Sequence, residues 1–290
     1  MAKSTSWKIT DMSYVSLATP NIEATISDFK NIFGMEEVAT MSVSRAYGWL
    51  RTVMGNGSEC YQELLQPTTD TQALGRFVRD RGGAVYVTSY VVDDLAACYR
   101  DLKAKGVRFA TGPEDARAER ANAVWIHPRA TTGVYVELAN HLLVRNAPAP
   151  VGAKTEPLIK NVSYIGAVVR DLKAATDLYA KVLNFEVVNG PFDNKEYKYN
   201  GVMMGNDGRG YIELQQPYDE ESTMGRFLKN RGEAPYFASF VCDDVKKAVD
   251  KIKERGGNAF VDANGRTGWV HPKTAHGEMM ELTDHYLPGN

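Results

Sequence analysis

The sequence predicts an α+β protein made of two consecutive copies of one module, with two βαβββ units in each copy. Three observations predict this fold. Pairs of residues recur at a fixed spacing along the 290-residue chain, short apolar runs alternate with amphipathic helical patterns, and β-rich segments follow the predicted helices. The length agrees with two domains, because about 150 residues per domain is typical of globular proteins.

The elements of module 1 follow from periodicity and from turn residues. Residues 15–18 form a short apolar run, as expected of a strand, and Ile22, Ile26, Phe29 and Phe33 then fall on one face of a helix. Glycines end the later helices, and β-rich segments separate them. These later elements are predicted at residues 37–43, 49–54, 61–65, 74–81, 84–91, 94–105, around 109, at 124–126 and at 134–138.

The same elements are predicted in module 2, because the two halves align over most of their length. The pairs spaced by 150 residues include Tyr14 with Tyr164, Glu63-Leu64 with Glu213-Leu214, Gly75-Arg76-Phe77 with Gly225-Arg226-Phe227, Asp93-Asp94 with Asp243-Asp244 and Gly106 with Gly256. After Gly106 the spacing drops to 144, so that Glu137 aligns with Glu281. Module 1 therefore has a longer loop, within residues 111–122.

The boundary between the modules is predicted from composition. Residues 146–153 are rich in proline and small residues, which is typical of a linker. We therefore predict module 1 at residues 1–145, a linker at 146–158 and module 2 at 159–290.

Composition and charge exclude several classes of function. The chain has 34 Lys and Arg against 36 Asp and Glu, and its basic residues form no stripe that could follow a nucleic acid backbone. No apolar run approaches the ~20 residues needed to cross a bilayer, and the first residues lack the apolar core of a signal peptide. We expect a cytoplasmic monomer or homodimer with a small-molecule substrate, and neither nucleic acid nor membrane as a partner.

The order of elements, together with three sequence strings, resembles the vicinal oxygen chelate superfamily. These strings are Gly210-Tyr211-Ile212-Glu213-Leu214, the segment 227–233 and His271-Pro272-Lys273-Thr274. Within the superfamily, the resemblance is greater to methylmalonyl-CoA epimerases than to glyoxalase I, and it covers roughly residues 12–140 and 162–285. It implies that each module curls its mixed sheet into an open cup.

The resemblance also implies where a divalent metal would bind in metal-using members of the superfamily. The corresponding residues are Tyr14, Glu63, Val87 and Glu137 in module 1, and Tyr164, Glu213, Phe237 and Glu281 in module 2. Both modules keep the two glutamates and lack the two histidines. Two carboxylates without imidazole are a poor set for a tightly bound transition metal. We therefore predict no metal and no other cofactor, although the glutamates leave a divalent ion as an alternative.

Strand alternation predicts which side chains accompany the glutamates in the cups. Tyr61 should share a face with Glu63, Tyr135 with Glu137, and Tyr211 with Glu213. The full set of predicted substrate-binding residues is Phe237, Val87, Tyr211, Tyr61, Tyr135, His276 and Arg226. His276 is included because it occurs only in module 2, at a position where module 1 has Thr132, and Arg226 because it precedes the fifth strand.

Two glutamates that converge in a concave site without a cation predict acid–base chemistry. Desolvation and like-charge repulsion both raise the pKa of a carboxyl group, so one glutamate would tend to hold a proton. We predict Glu213 and Glu281 as acid and base and Tyr164 as the hydrogen-bond donor to an oxyanion. The equivalent set in module 1 is Glu63, Glu137 and Tyr14, and strands from both modules could instead combine Tyr14, Glu63, Phe237 and Glu281.

The leading function is therefore a metal-independent isomerase, epimerase or lyase that acts on a small oxygenated carbonyl, aromatic or acyl-CoA compound. One alternative is a binding protein that sequesters an aromatic ligand, like drug-resistance members of the superfamily. Another is a metal-dependent extradiol-type dioxygenase, which the missing histidines disfavour. In either module the glutamates could instead hydrogen-bond to Tyr14 or Tyr164 as a structural centre. The more aromatic and polar composition around Phe237 favours module 2 as the working one.

Overall fold

The computed structural model describes residues 7–45, 47–56, 60–111, 122–140, 155–207 and 209–286. Most of the predicted linker and of the longer loop of module 1 lie outside these residues. Within the described part of the chain, no helix has the length and apolar character needed to span a membrane.

Module 1 contains the two βαβββ units that the sequence predicts, joined by one additional helix. The elements are β1 (Ile9–Ala18), α1 (Ile22–Asp28), β2 (Glu36–Ser44), β3 (Trp49–Gly55), β4 (Cys60–Pro67), α2 (Ala73–Arg81), β5 (Ala84–Val92), α3 (Leu95–Ala104), β6 (Phe109–Thr111), β7 (Ala123–Ile126) and β8 (Tyr135–Ala139). The helical pattern predicted to extend to Phe33 is α1 followed by one turn of π-helix at Phe29–Phe33. Left-handed Gly34, with φ of 70°, ends it.

Module 2 repeats this order. Its elements are β9 (Asn161–Val168), α4 (Leu172–Leu183), β10 (Glu186–Asn194), β11 (Tyr199–Asn206), β12 (Arg209–Pro217), α5 (Thr223–Arg231), β13 (Ala234–Val241), α6 (Val245–Glu254), β14 (Ala259–Val261), β15 (Gly268–Val270) and β16 (Met280–Thr283). The prediction of an α+β chain with two tandem modules is confirmed.

Two pairs of equivalent helices begin at side chains that are suited to the N-cap position. Asn21, Asp94, Asp171 and Asp244 each accept a hydrogen bond from the backbone N–H three residues later, at the starts of α1, α3, α4 and α6. Such a cap satisfies one of the N–H groups that a helix start leaves without a partner. The repeat therefore extends to the residues that fix where these helices begin.

Each module forms one eight-stranded mixed sheet. The strand order in module 1 is β2-β3-β4-β1-β5-β8-β7-β6, and module 2 has the same order in its own strands. In module 1 the central strands β1 and β5 are antiparallel, whereas β1 with β4 and β5 with β8 are parallel. Because each sheet contains the strands of one module alone, the alternative site that combined strands of both modules is wrong.

One face of each sheet packs, together with the helices, into an apolar core that the two modules share. Its aromatic part joins the modules: the ring centroids of Tyr61 and Phe240 lie 6.2 Å apart, and Phe185 lies 5.6 Å from Tyr90 and 5.8 Å from Tyr211. These side chains are all nearly inaccessible to solvent. The core therefore runs without interruption from one module into the other.

The prediction that Tyr61 and Tyr211 face the cups is wrong. The pairing of β3 with β4 skips Tyr61, and the pairing of β11 with β12 skips Tyr211. Each tyrosine is the extra residue of a β-bulge, which turns its side chain away from the face that strict alternation assigns to it. The hydroxyl of Tyr61 donates a hydrogen bond to the Ile159 carbonyl, and that of Tyr211 to the Thr10 carbonyl, both at 3.1 Å. Both tyrosines therefore link the modules.

Candidate functional site

The second face of each sheet carries the predicted glutamates. We call the cavity that contains Glu63 and Glu137 cup 1, and the cavity that contains Glu213 and Glu281 cup 2. The two glutamates of a module lie on different strands, and each is paired with a residue of one of the two central strands. In module 2, Glu213 pairs with Gly166 of β9, while Glu281 pairs with Ser239 of β13.

The two cups differ in size. Cup 2 encloses about 700 Å³, and its lining includes Glu213, Gln215, Phe237, Trp269 and Glu281. Cup 1 encloses about 280 Å³. The volume of cup 2 lies within the ~300–1,000 Å³ that is usual for small-molecule sites. The structure thus favours module 2 as the ligand-binding half.

Tyrosine hydroxyls hold both carboxyl groups of cup 2. Tyr199 Oη donates a hydrogen bond to Glu213 Oε1 at 2.6 Å, and Tyr164 Oη donates one to Glu281 Oε2. Burial, followed by the negative charge of Glu281, raises the pKa of Tyr164 well above its ordinary value. The Tyr164 hydroxyl therefore remains a protonated donor at neutral pH.

The glutamates of cup 2 are buried without a cation to compensate them. Burial raises the pKa of Glu281 to about 7, against the nearby Ser239 hydroxyl and the hydrogen bond from Tyr164, which lower it. Burial also raises the pKa of Glu213, against the hydrogen bond from Tyr199 and the nearby Gln215 amide, which lower it. Among the residues that the structure describes, no Lys, Arg or His side chain is a main cause of either pKa shift. Glu281 can therefore both take up and release a proton near neutral pH.

In cup 1, side chains of the module itself bind both carboxyl groups. Glu63 accepts hydrogen bonds from the Arg51 guanidinium and from Ser16 Oγ. Burial raises the pKa of Glu63, and the charge of Arg51 is the largest effect that opposes this. The carboxylate thus has a permanent counter-ion within the chain.

Glu137, the second carboxylate of cup 1, accepts three hydrogen bonds. The donors are Tyr14 Oη at 2.7 Å, Ser89 Oγ at 2.8 Å and Trp125 Nε1 at 2.8 Å. In cup 2 the equivalent indole, that of Trp269, makes no hydrogen bond to Glu281. Cup 1 therefore matches the expectation of a hydrogen-bonded structural centre, whereas Glu281 retains free acceptor capacity.

Three exchanges within the repeat make the shape of cup 2 differ from that of cup 1. Arg51 of β3 corresponds to Gly201 of β11, which removes the side chain that fills cup 1. Ser16 corresponds to Gly166 and Val87 to Phe237. A Cβ atom on Gly166 would lie 2.1 Å from Phe237 Cε1, so the phenyl ring uses space that only glycine leaves free.

The residues at the metal positions implied by the superfamily do not fit a divalent metal. In module 2 the two histidine positions hold Tyr164, whose hydroxyl is committed to Glu281, and the Phe237 ring, which offers no donor atom. In module 1 the Arg51 guanidinium already forms a salt bridge with Glu63. The described residues contain no group of three or more His, Cys, Asp or Glu side chains placed to hold a metal ion.

The remaining predicted binding residues fall into two groups. Val87 and Tyr135 line cup 1, as Phe237 lines cup 2. His276 lies outside cup 2: its Nε2 is 2.8 Å from Asp28 Oδ2 of α1, because a left-handed backbone at His276 turns the loop toward module 1. Arg226 Nη1 donates to the Glu221 carbonyl within α5 and its preceding turn, and Arg226 is absent from the cup 2 lining.

Three residues that shape the cups were missed at the level of sequence: Arg51, Tyr199 and Trp269. A signal existed for Arg51, because it is a charged residue inside the apolar segment 49–54 and aligns with glycine in the other module. Tyr199 is the first residue of β11, and alternation within the glutamate-bearing strands does not reach it. Trp269 aligns with Trp125 at the spacing of 144 residues, and this repetition was its signal.

The fold and the cups define a class: a two-module α+β protein in which one face of each sheet forms a cavity lined by buried carboxyl groups. The family model described as Glyoxalase/Bleomycin resistance protein/Dioxygenase superfamily matches residues 14–124 and 164–271. The chain belongs to this superfamily, and the resemblance seen in the sequence is confirmed.

Individual relatives match either one module or the whole fold. Mitochondrial methylmalonyl-CoA epimerase of Dictyostelium discoideum is 28% identical over 128 residues, which are 44% of this chain and 76% of that protein. The human mitochondrial methylmalonyl-CoA epimerase is 26% identical over 133 residues, 46% of this chain and 74% of its own length. A mutant of 4-hydroxymandelate synthase from Streptomyces coelicolor superposes with a TM-score of 0.73 at 14% identity, covering 94% of this chain and 92% of that one. This last likeness shows the fold alone.

Proposed function

We propose that cup 2 catalyses proton transfer at a carbon next to a carbonyl group, without a metal, and so isomerises or epimerises a small oxygenated compound. The observation that carries the proposal is the pair of buried carboxyl groups in a cavity of about 700 Å³, one of them with a pKa raised to about 7. A base with this pKa is half ionised at neutral pH, which suits abstraction and return of a proton.

The groups of cup 2 supply a balanced proton-transfer sequence. The ionised Glu281 takes the proton from the substrate carbon, and the C–H electron pair moves toward the carbonyl to form an enolate. The indole N–H of Trp269, which is buried in cup 2 without a hydrogen-bond partner, donates a hydrogen bond to the enolate oxygen. Return of the proton from Glu281 to a neighbouring carbon gives the isomer; delivery of a proton from water to the opposite face, with loss of the Glu281 proton to solvent, gives the epimer. Tyr164 keeps Glu281 oriented throughout through its hydrogen bond.

The relatives support this class of chemistry. Several that match one module are named methylmalonyl-CoA epimerases, and epimerisation inverts one carbon centre. Their match extends over less than half of this chain. We therefore carry over the reaction class and leave the substrate to be identified from the cavity.

Solvent deuterium exchange tests the proposal without knowledge of the product. The protein is incubated in D₂O with a panel of ketones, hydroxyketones, aryl ketones and acyl thioesters, and loss of the C–H signal is followed by proton NMR. We expect exchange with at least one compound class, and we expect Glu281→Gln to lower the rate by a factor of about 10² or more. The matched control is Glu137→Gln in cup 1, which should keep the exchange; equal loss in both variants would refute the assignment to cup 2.

A second candidate function is sequestration of an aromatic ligand. It is favoured by the wall of cup 2, where the Phe237 and Trp269 rings meet at 5.2 Å and 89° and Tyr197 joins Trp269 at 5.9 Å. Both functions require binding, and only catalysis requires Glu281. If the parent protein binds compounds of the panel but exchanges none of their C–H protons, sequestration is the function.

A further inference from the structure

We infer that cup 2 recognises an aromatic compound that carries a planar cationic group, an amidinium or guanidinium, seated against Glu213 in the place that Arg51 takes against Glu63 in cup 1. The inference rests on the proposed function only in that cup 2 is the ligand site. It adds the charge and the shape of the ligand.

Module 1 supplies the template for this interaction. Arg51 of β3 pairs with Leu65 of β4, and its side chain reaches the carboxylate of Glu63 two residues away. In module 2 the same register places Gly201 opposite Gln215. The chain therefore keeps the buried carboxyl group in both modules and provides its counter-ion in only one.

The buried carboxyl group of cup 2 is suited to receive an external counter-ion. Glu213 is 5% exposed and its Oε1 accepts one hydrogen bond, from Tyr199. The amide oxygen of the adjacent Gln215 is buried with no hydrogen-bond partner. A planar group with two or more N–H donors can satisfy both oxygens at once, as a guanidinium does in bidentate pairs.

Negative charges outnumber positive charges around cup 2. Its lining includes three further carboxylates, Asp193, Glu196 and Asp262, and two lysines, Lys195 and Lys198. Lys198 Nζ is already bound to Asp219 Oδ2 at 2.6 Å. Together with Glu213 and Glu281, the cavity therefore presents an excess of negative charge, which attracts cations and repels anions.

The aromatic walls favour the same ligand. Phe237 lies between Trp269 and Tyr164, with ring centroids 5.2 Å and 5.8 Å away, and Tyr236 also lines the cavity. A ring on the ligand can pack against these walls, and its cationic group gains from nearby aromatic faces. A phosphate-bearing ligand such as an acyl-CoA thioester would instead place several negative charges against this acidic rim.

Three isosteric probes test the inference: benzamidine, benzamide and benzoate, which are positive, neutral and negative on the same ring. Binding is measured by isothermal titration calorimetry and by the ligand-observed NMR signal. We expect benzamidine to bind at one site per chain, at least about tenfold more tightly than benzamide, with benzoate the weakest. The inference is overturned if benzoate or free coenzyme A binds as tightly as benzamidine or more tightly.

Two variants locate the site. Glu213→Gln keeps the shape of the side chain and removes its charge, so it should weaken benzamidine at least about tenfold and change benzamide by less than about twofold. Gly201→Arg returns the built-in cation and should abolish benzamidine binding. A Cβ at residue 201 would lie 2.7 Å from the Phe192 ring, so circular dichroism must show that this variant folds. Benzamidine binding that is unchanged in Glu213→Gln would refute the assignment on its own.

These measurements separate the inference from the proposed function. None of the probes has a C–H next to a carbonyl that could exchange, so binding is read without turnover. Failure of deuterium exchange with correct charge selectivity would leave the ligand class standing and remove the catalytic proposal. Exchange with an anionic substrate, together with tight benzoate binding, would support the catalytic proposal and refute the cationic ligand class.

Discussion

Replacing Glu278 by Gln should remove a large pH dependence from the free energy of unfolding. Glu278 belongs to the loop before β16, is 1% exposed, and faces the buried Gln62 of module 1. Neither of its carboxyl oxygens has a hydrogen bond of ordinary geometry, and the Gln62 amide is the polar group that acts on it. Burial raises the pKa of Glu278 from 4.5 to about 8, while the Gln62 amide opposes the shift.

The direction of the pH effect follows from the proton count. Between pH 4.5 and about 8, Glu278 is protonated in the folded chain and ionised in the unfolded chain. The folded state then holds more protons, so stability falls as the pH rises through this window and is greatest below it. The slope is about 1.4 kcal/mol per pH unit, and the whole window amounts to at most about 5 kcal/mol.

The assay is urea-induced unfolding of the parent protein and of Glu278→Gln at pH 5, 6.5 and 8. Glu281 adds a dependence of the same sign because its pKa is also raised, so the quantity to compare is the difference between the two proteins. The parent should lose about 4 kcal/mol more than the variant between pH 5 and pH 8. The exposed Glu186→Gln serves as control and should follow the parent. Parallel profiles for the parent and Glu278→Gln would show that Glu278 is not a buried neutral acid.

Three further predictions concern the repeat. The double variant Gln62→Ile with Glu278→Val copies the apolar pair that the other half of the interface has at the aligned positions; it should unfold at higher urea concentration than the parent at pH 8, and a lower midpoint would contradict the assignment. Gly166→Ala should lower the melting temperature, because the added methyl group meets the Phe237 ring and overpacking costs about 1–3 kcal/mol; an unchanged melting temperature would mean that the ring moves freely. Arg51→Met should destabilise the protein by about 1–3 kcal/mol, because it leaves a buried carboxylate unpaired, and equilibrium unfolding at pH 7 measures this loss.

The sequence predicted the fold because the repeat and the periodicity agree at each level. The capping residues such as Asp94 and Asp244 recur at the same spacing as the strands, so an element found in one module supported its counterpart. Glu213 lies on the predicted face because the pairing of β12 with β9 is continuous around it, without a bulge.

The errors have physical causes that a single sequence does not display. The bulge in β4 turns Tyr61 to the other face of the sheet, and nothing in the residue types of the strand indicates it. Strict alternation therefore predicted the wrong face. The loop turns His276 toward Asp28, and a contact between residues so far apart in the chain cannot be predicted from local sequence. The pairing of Arg51 with Glu63 depends on the register of β3 with β4, which the spacing of the two residues does not fix.

The aromatic core shared by the two sheets has a consequence for how the chain loses its structure. Tyr61 and Tyr211 each reach a backbone carbonyl of the opposite module, and the rings around Phe185 and Phe240 pack across the same boundary. Cutting the chain between the modules would expose this apolar surface on both halves, and neither half could cover it alone. The duplicated modules should therefore melt as one cooperative unit, with a single calorimetric transition in place of two.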